Sequence, residues 1–123
     1  MISMSPRNAG SNDARIIVEE QFRPVLPVMK WSDETDVINR ANGTEFGLGA
    51  SVWSKDMAQA ERITKQLQAG NVWINSHAKI QTSTPFAGHK QSGLGVDMDI
   101  EGLKAYCNIQ SVYTRLAGGA AQY

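Results

Sequence analysis

Cysteine is almost missing from this chain: one thiol, Cys107, in 123 residues. A lone cysteine closes no internal disulfide and forms no Cys-x-x-Cys pair, so the expectation is a reduced, cytoplasmic protein. With only 2 histidines, His77 and His89, no ligand set with Cys107 has a recognisable metal-binding spacing, and no metal is expected. Charge of one sign is absent as well. Lys and Arg total 12, Asp and Glu total 12, and the formal net charge is zero. No basic block exists, which argues against nucleic acid and against a polybasic membrane contact. No apolar run reaches the ~18 residues of a membrane span. The first twelve residues hold no apolar stretch of signal-peptide length, and their Ser, Asn, Gly and Pro content reads as a flexible leader, residues 1–12. The tail Ala117–Tyr123 reads the same way.

What is present fits one modest globular domain. Hydrophobic residues make up 41% and charged residues 20% of the chain, and a domain of this size is expected to bury roughly 65–70% of its unfolded surface. Three apolar runs end in or near tryptophan: Val25–Trp31, Leu48–Trp53 and Asn71–Asn75. Each reads as a short buried strand, the first with an irregular edge at Pro27. Helical patterns lie between them. Ser32 is placed to cap a helix carrying Val37, Ile38 and Ala41 on one face, with Gly43 as its stop. Ser54 is placed to cap a second helix with a stripe of Met57, Ala60, Ile63, Thr64 and Leu67, ended by Gly70. The order strand, helix, strand, helix, strand predicts an α/β fold of parallel, right-handed βαβ units, doubly wound and Rossmann-like. From Ser76 to Val96 no periodicity survives, and a loop so long is usually functional or disordered. A short helix is expected over Ile100–Tyr106. Asn108–Leu116 alternates apolar and polar residues and reads as a last strand, one that invites pairing with another chain.

Two segments could carry chemistry. The first is Pro85-Phe86-Ala87-Gly88-His89-Lys90-Gln91-Ser92-Gly93-Leu94-Gly95. It is no P-loop, because the Gly-x4-Gly-Lys-Ser/Thr spacing is absent. Gly93-x-Gly95 lacks the third glycine of a dinucleotide fingerprint. The plain alternative is a flexible glycine-rich surface loop. The second is Glu19-Glu20-Gln21-Phe22-Arg23-Pro24-Val25, whose paired carboxylates could be a solvated surface pair and whose Phe22 could be ordinary core. Cys107 as a nucleophile competes with the commoner state of a free cysteine, a small buried hydrophobe.

Together, in this order, the two segments resemble the C-terminal region of the aldehyde dehydrogenase superfamily, whose members are NAD(P)-dependent oxidoreductases. The resemblance spans about residues 13–116. It implies the last quarter or so of such an enzyme: residues 13–107 as the C-terminal part of the catalytic domain, residues 108–123 as an oligomerisation-type strand and tail. It implies that Glu20 accepts hydrogen bonds from the nicotinamide-side ribose, a role suited to an acceptor-only carboxylate facing a diol. Phe22 would stand beside the nicotinamide, and Phe86 would line the aldehyde pocket in a turn-rich buried loop. His77–Thr84 resembles, in position and length, the variable segment that shapes aldehyde specificity. In the family a cysteine thiolate attacks the aldehyde, hydride passes to the nicotinamide, and a glutamate-activated water hydrolyses the thioester. Neither that cysteine nor that glutamate has a counterpart here, nor does the nucleotide-binding glycine loop. No catalytic residue is therefore assigned, and weak or no binding of NAD or NADP is expected from the chain alone. Several positions depart from the family pattern. Arg23 stands where Gly is usual, and a long cationic side chain there would crowd the cofactor. Ala87 replaces a common Gly, Asp97 a common Glu and Asp99 a common Gly. The expected partners are a second copy through Asn108–Leu116, or a separate N-terminal aldehyde dehydrogenase part, with a small aldehyde as substrate of the complete enzyme. The alternative is a non-catalytic oligomerisation module or decayed remnant.

Overall fold

The computed structural model describes residues 2–3 and 14–115. The elements in chain order are β1 (Ile2–Ser3), α1 (Arg15–Val18), β2 (Val25–Leu26), α2 (Glu34–Asn42), β3 (Phe46–Gly47), β4 (Gly49–Val52), α3 (Met57–Thr64), β5 (Asn71–Ile74), β6 (Phe86–Ala87), β7 (His89–Lys90), β8 (Val96–Asp97) and α4 (Asp99–Lys104). The content is mixed α/β. β4 and β5 pair in parallel, with Gly49 opposite Asn71 and Val52 opposite Ile74, and α3 connects them. β1 pairs with β2 in parallel, while β3–β7 and β6–β8 are antiparallel.

The two longer helices form where the apolar spacing places them, but their caps differ from expectation. Asp33, not Ser32, caps α2, its Oδ2 accepting the Asp36 amide at 2.6 Å. Asp56, not Ser54, caps α3, accepting from the Gln59 amide at 3.1 Å. In both cases a carboxylate wins over a nearby hydroxyl because it accepts the amide and also opposes the positive end of the helix dipole. Ser54 instead accepts the Asp56 amide and donates to Gln59 Oε1. Among the described residues the buried hydrophobic side chains are Ile38 on α2 and Ala60 and Ile63 on α3. That core is far smaller than the single well-covered one expected.

The strands are shorter than the apolar runs. β2 stops at Leu26 because Pro27 has no amide to continue a ladder. It pairs with Ile2–Ser3, inside the stretch read as a leader, and not with β4. The remaining leader residues, 4–13, lie outside the described residues, as do Leu116 and the tail Ala117–Tyr123. β4 ends at Val52, and Trp53 beyond it is 67% exposed. The Ser76–Val96 stretch contains three of the short strands, β6, β7 and the start of β8. The last helix is Asp99–Lys104, where Ile100–Tyr106 was expected. Residues 108–115 are in no strand. Ladder hydrogen bonds require a neighbour, and the other described residues offer none there. Among the described residues, no helix is long and apolar enough to cross a membrane.

α2 and α3 are tied together at both ends. At one end the Arg62 guanidinium grips Glu34 in fork geometry, Nη2 to Oε1 at 2.7 Å and Nε to Oε2 at 3.1 Å. Gln59 donates to the same carboxylate at 2.9 Å. At the other end Asn42 donates to the Gln66 carbonyl and accepts the Gln68 amide, both at 2.8 Å. The Arg62 hydrogen bonds, with that of Gln59, hold the Glu34 carboxyl below its ordinary range. A carboxyl lowered on folding stabilises the fold above its unfolded pKa, and that contribution is lost as pH falls through the lowered value. We predict that Glu34→Gln is less stable than the natural chain at neutral pH. The two should converge on acidification below the carboxylate range, as read by denaturant unfolding at a series of pH values. A stability gap unchanged at acid pH would show that Glu34 ionisation is not its source.

Candidate functional site

The Pro85–Gly95 segment is held by side-chain and backbone ties to three other parts of the chain. At its start, β6 pairs Phe86 with Asp97 and Ala87 with Val96. The Asn71 side chain donates to the carbonyls of Leu48, at 2.9 Å, and Ala87, at 3.0 Å, so one amide group joins the residue between β3 and β4 to β6. In its middle, β7 pairs with β3, Phe46 opposite Lys90 and Gly47 opposite His89. The Lys90 ammonium donates to the carbonyls of Asn42 and Thr44, at 2.6 and 3.1 Å. At its end, Ser92 Oγ accepts the Gly47 amide at 2.9 Å. Gly93 and Gly95 have φ of +124° and +93°, conformations that L side chains rarely adopt. The segment is a built turn rather than a floppy glycine tract.

Gly70 matters for a reason that its sequence position hid. It does not cap α3, which ends at Thr64 with Lys65 as C-cap. A Cβ on Gly70 would overlap the Ala87 carbonyl oxygen, so the missing side chain lets β6 pass against the start of β5. Gly43 does end α2, but at φ −74°, without the left-handed turn.

Phe86 is half-buried and lines a cavity of about 320 Å3 with Leu48, Leu94 and Val96. Glu20 and Phe22 lie elsewhere, in the connection from α1 to β2. Glu20 is exposed, and its carboxylate makes no hydrogen bond or ion pair among the described residues. Its neighbour Glu19 is engaged by Arg15, at 2.6 and 3.0 Å. Phe22 is 89% exposed, so it is not the core residue of the plain alternative. Arg23 is exposed and directed into no described contact of its guanidinium. No hydrogen bond joins the Glu20–Phe22 stretch to Phe86 among the described residues.

The segment that follows β5 is anchored by a group sequence reasoning did not find. Ser51 and Trp73 are register partners on β4 and β5. Ser51 Oγ lies 2.8 Å from His77 Nδ1, and the Trp73 ring meets the His77 ring edge-on at 5.7 Å. Trp73 Nε1 also donates to the Lys79 carbonyl at 2.9 Å. The signal available was the pairing of Ser51 and Trp73 itself, which appears only once the register is known. Cys107 is exposed just after α4, its Sγ donating to the Leu103 carbonyl at 3.5 Å, and among the described residues no base is hydrogen-bonded to it. It is thus not the buried small hydrophobe of the commoner reading. Among the described residues no group of three or more His, Cys, Asp or Glu could hold a metal ion.

Comparison with known proteins matches residues 8–112 to the model of the aldehyde dehydrogenase family. Among similar proteins, an aldehyde dehydrogenase of Talaromyces stipitatus, tropH, is 44% identical over 106 residues, 86% of this chain and 21% of that protein. A betaine aldehyde dehydrogenase of Bacillus subtilis is 40% identical, over 92% of this chain and 23% of its own length. Among solved structures, an indole-3-acetaldehyde dehydrogenase complexed with NAD+ superposes with a TM-score of 0.81 at 35% identity, covering 88% of this chain and 22% of that one. A betaine aldehyde dehydrogenase of Staphylococcus aureus in complex with NAD+ gives 0.80 at 33% identity, covering 90% and 23%. The chain thus spans between a fifth and a quarter of the length of the relatives it matches.

The close approach at Gly70 generates a test. Gly70→Ala is expected to cost about 1–3 kcal/mol, the usual range for forcing extra atoms into a packed site. The loss should appear in denaturant unfolding and in faster amide exchange at Asn71 and Ala87. Gly43→Ala, whose Cβ would meet backbone oxygens at 3.3 and 3.4 Å, should cost less. Equal costs at the two positions would refute the role given to Gly70.

Proposed function

The chain belongs to the aldehyde dehydrogenase family, and from that premise we propose that it supplies the C-terminal part of a doubly wound, Rossmann-like catalytic domain. That domain would oxidise an aldehyde to a carboxylic acid with NAD or NADP. The observation that carries the reading is the Pro85–Gly95 segment, a fixed turn that presents half-buried Phe86 to a cavity. In this reading Phe86 lines the aldehyde path. Glu20 receives the hydroxyls of the nicotinamide-side ribose, and Phe22 stands against the nicotinamide. The exposed Glu20 carboxylate, with no partner among the described residues, suits a group whose acceptors are meant for a ligand. The exposed Phe22 ring suits a wall completed by a bound ring. The nicotinamide, when bound, accepts hydride; this chain's own residues hold and orient, and no nucleophile is assigned among them. The unit would run over residues 13–107, with residues 108–123 serving assembly.

The reading separates two activities that one assay can compare. Alone, the chain should give no reduced nicotinamide with any aldehyde, because covalent hydride-transfer chemistry starts from a positioned thiolate. Robust turnover lost in Cys107→Ala would overturn this. Mixed with an N-terminal aldehyde dehydrogenase part that carries the nucleophile and nucleotide loop, it should restore turnover. Glu20→Ala should then lower that turnover about tenfold or more, the scale of a charge-assisted hydrogen bond of roughly 1.5–3 kcal/mol. No restoration with any such part would favour the interaction-module alternative.

Self-association follows from the chain's last described stretch. Ile109, Val112 and Tyr113 are 98%, 78% and 93% exposed in a segment without ladder partners. Such a segment is a template for another strand. Light scattering at micromolar concentration should find an oligomer that Val112→Pro weakens, since proline removes a ladder donor. A monomeric natural chain, or an oligomer indifferent to Val112→Pro, would exclude this segment as the pairing element.

A further inference from the structure

We propose that Lys90 is a positioning residue, whose ammonium closes the C-terminal end of α2 and through that tie fixes the place of Phe86. The importance of Phe86 to substrate rests on the reading above; the tie itself does not. A helix leaves its last carbonyls without intrahelical partners, and they carry the negative end of the dipole. Lys90 Nζ reaches two carbonyls at that end, Asn42 at 2.6 Å and Thr44 at 3.1 Å. A lysine in a glycine-rich segment invites the idea of an anion-holding group. Here two of its three donors are already given to backbone oxygens. Lys90 also sits at φ +55°, an unfavourable conformation for a residue with a side chain. Strain kept at a lysine, where glycine would relieve it, points to a need for the side chain.

The tie reaches Phe86 along a short, closed path. Beside Lys90, the Gln91 amide donates to the Glu45 carbonyl at 3.0 Å, and Ser92 accepts from Gly47. Before it, Gly88 packs so closely on Ser92 that an added Cβ would stand 2.9 Å from the Ser92 Cβ and carbonyl oxygen. The Ala87 carbonyl is held by Asn71. Freeing Lys90 releases the side-chain anchor of the β7 turn to the end of α2 and leaves Phe86 to the β8 pairing, the Asn71 tie and the hydrogen bonds of Gln91 and Ser92.

The chain has 3 phenylalanines, Phe22, Phe46 and Phe86, so 4-fluorophenylalanine gives one fluorine resonance for each. Lys90→Met should move the Phe86 and Phe46 resonances toward their unfolded positions and leave that of exposed Phe22 in place. Lys90→Arg, which keeps charge and donors, should return Phe86 most of the way, and neutral Lys90→Gln only partly. A Phe86 resonance unmoved by Lys90→Met, or displaced as far by Arg as by Met, overturns the proposal. If Lys90→Met unfolds the whole chain, the nitrogen-15 signal of the Lys90 ammonium in the natural chain decides. Proton exchange slower than at Lys55 and Lys79, and unaffected by inorganic phosphate, supports the tie. Exchange as fast as theirs, or a phosphate-induced shift, overturns it. A Phe86 resonance that follows Lys90 while Phe86→Ala leaves turnover of the complemented enzyme unchanged upholds the tie and overturns the substrate role of Phe86.

Discussion

The C-terminal end of α2 is the constraint on which the rest of the described structure depends. Its last carbonyls have no intrahelical partners and carry the negative end of the dipole, so even at this exposed end they attract donors. The chain answers with groups far away in sequence. Asn42 engages the carbonyl of Gln66 and the amide of Gln68 beyond α3, and Lys90 engages Asn42 and Thr44 from the glycine-rich segment. One helix end thus gathers α3, the start of β3 and the Pro85–Gly95 turn. The Glu34–Arg62 fork at the opposite end of α2 does the same for the helix pair alone. With so few hydrophobic side chains buried, directional hydrogen bonds rather than apolar packing set how these pieces meet.

Much of this was legible in the sequence, and the failures share a cause. Helix positions could be read because apolar spacing is local. Their caps were misassigned because Ser32 and Asp33 are neighbours, and only the chain's geometry decides which one faces the free amides. Strand lengths were overestimated because a branched apolar run shows β preference, whereas a ladder needs a partner at the right distance. Val25–Trp31 keeps two strand residues, and Asn108–Arg115 keeps none. Gly70 reads as a helix stop because glycine signals that locally; its contact with Ala87 is a fact of tertiary structure.

The same distinction governs the site. The Pro85–Gly95 segment is contiguous, so its identity could be read from residues alone, and family membership follows from it and the upstream motif. Its ties to Asn71, Asn42 and Gly47 could not be, since each joins residues distant in sequence. The Ser51–His77–Trp73 group was invisible for the same reason: three ordinary residues become a cluster only through the parallel register of β4 and β5.

This difference also orders the chain by rigidity. Local opening is easiest where buried apolar contacts and internal hydrogen bonds are few. By that measure Glu20–Phe22 and residues 108–115 are the loosest described parts, exposed and free of ladders. The Phe86–Ser92 part of the glycine-rich segment is among the best tied, by two strand pairings and by the hydrogen bonds of Asn71, Lys90 and Ser92. Composition suggests the reverse, because glycine is read as flexibility. Here glycine does the opposite at Gly70, where it permits backbone to approach backbone, and the donors of Asn71 and Lys90 then lock the approach in place. In its proposed role beside substrate, Phe86 gains from standing on such a turn, since precision at a site comes from the shell that supports it. In their proposed role at a cofactor, Glu20 and Phe22 stand on an unsupported connection and gain precision only when something else packs against them.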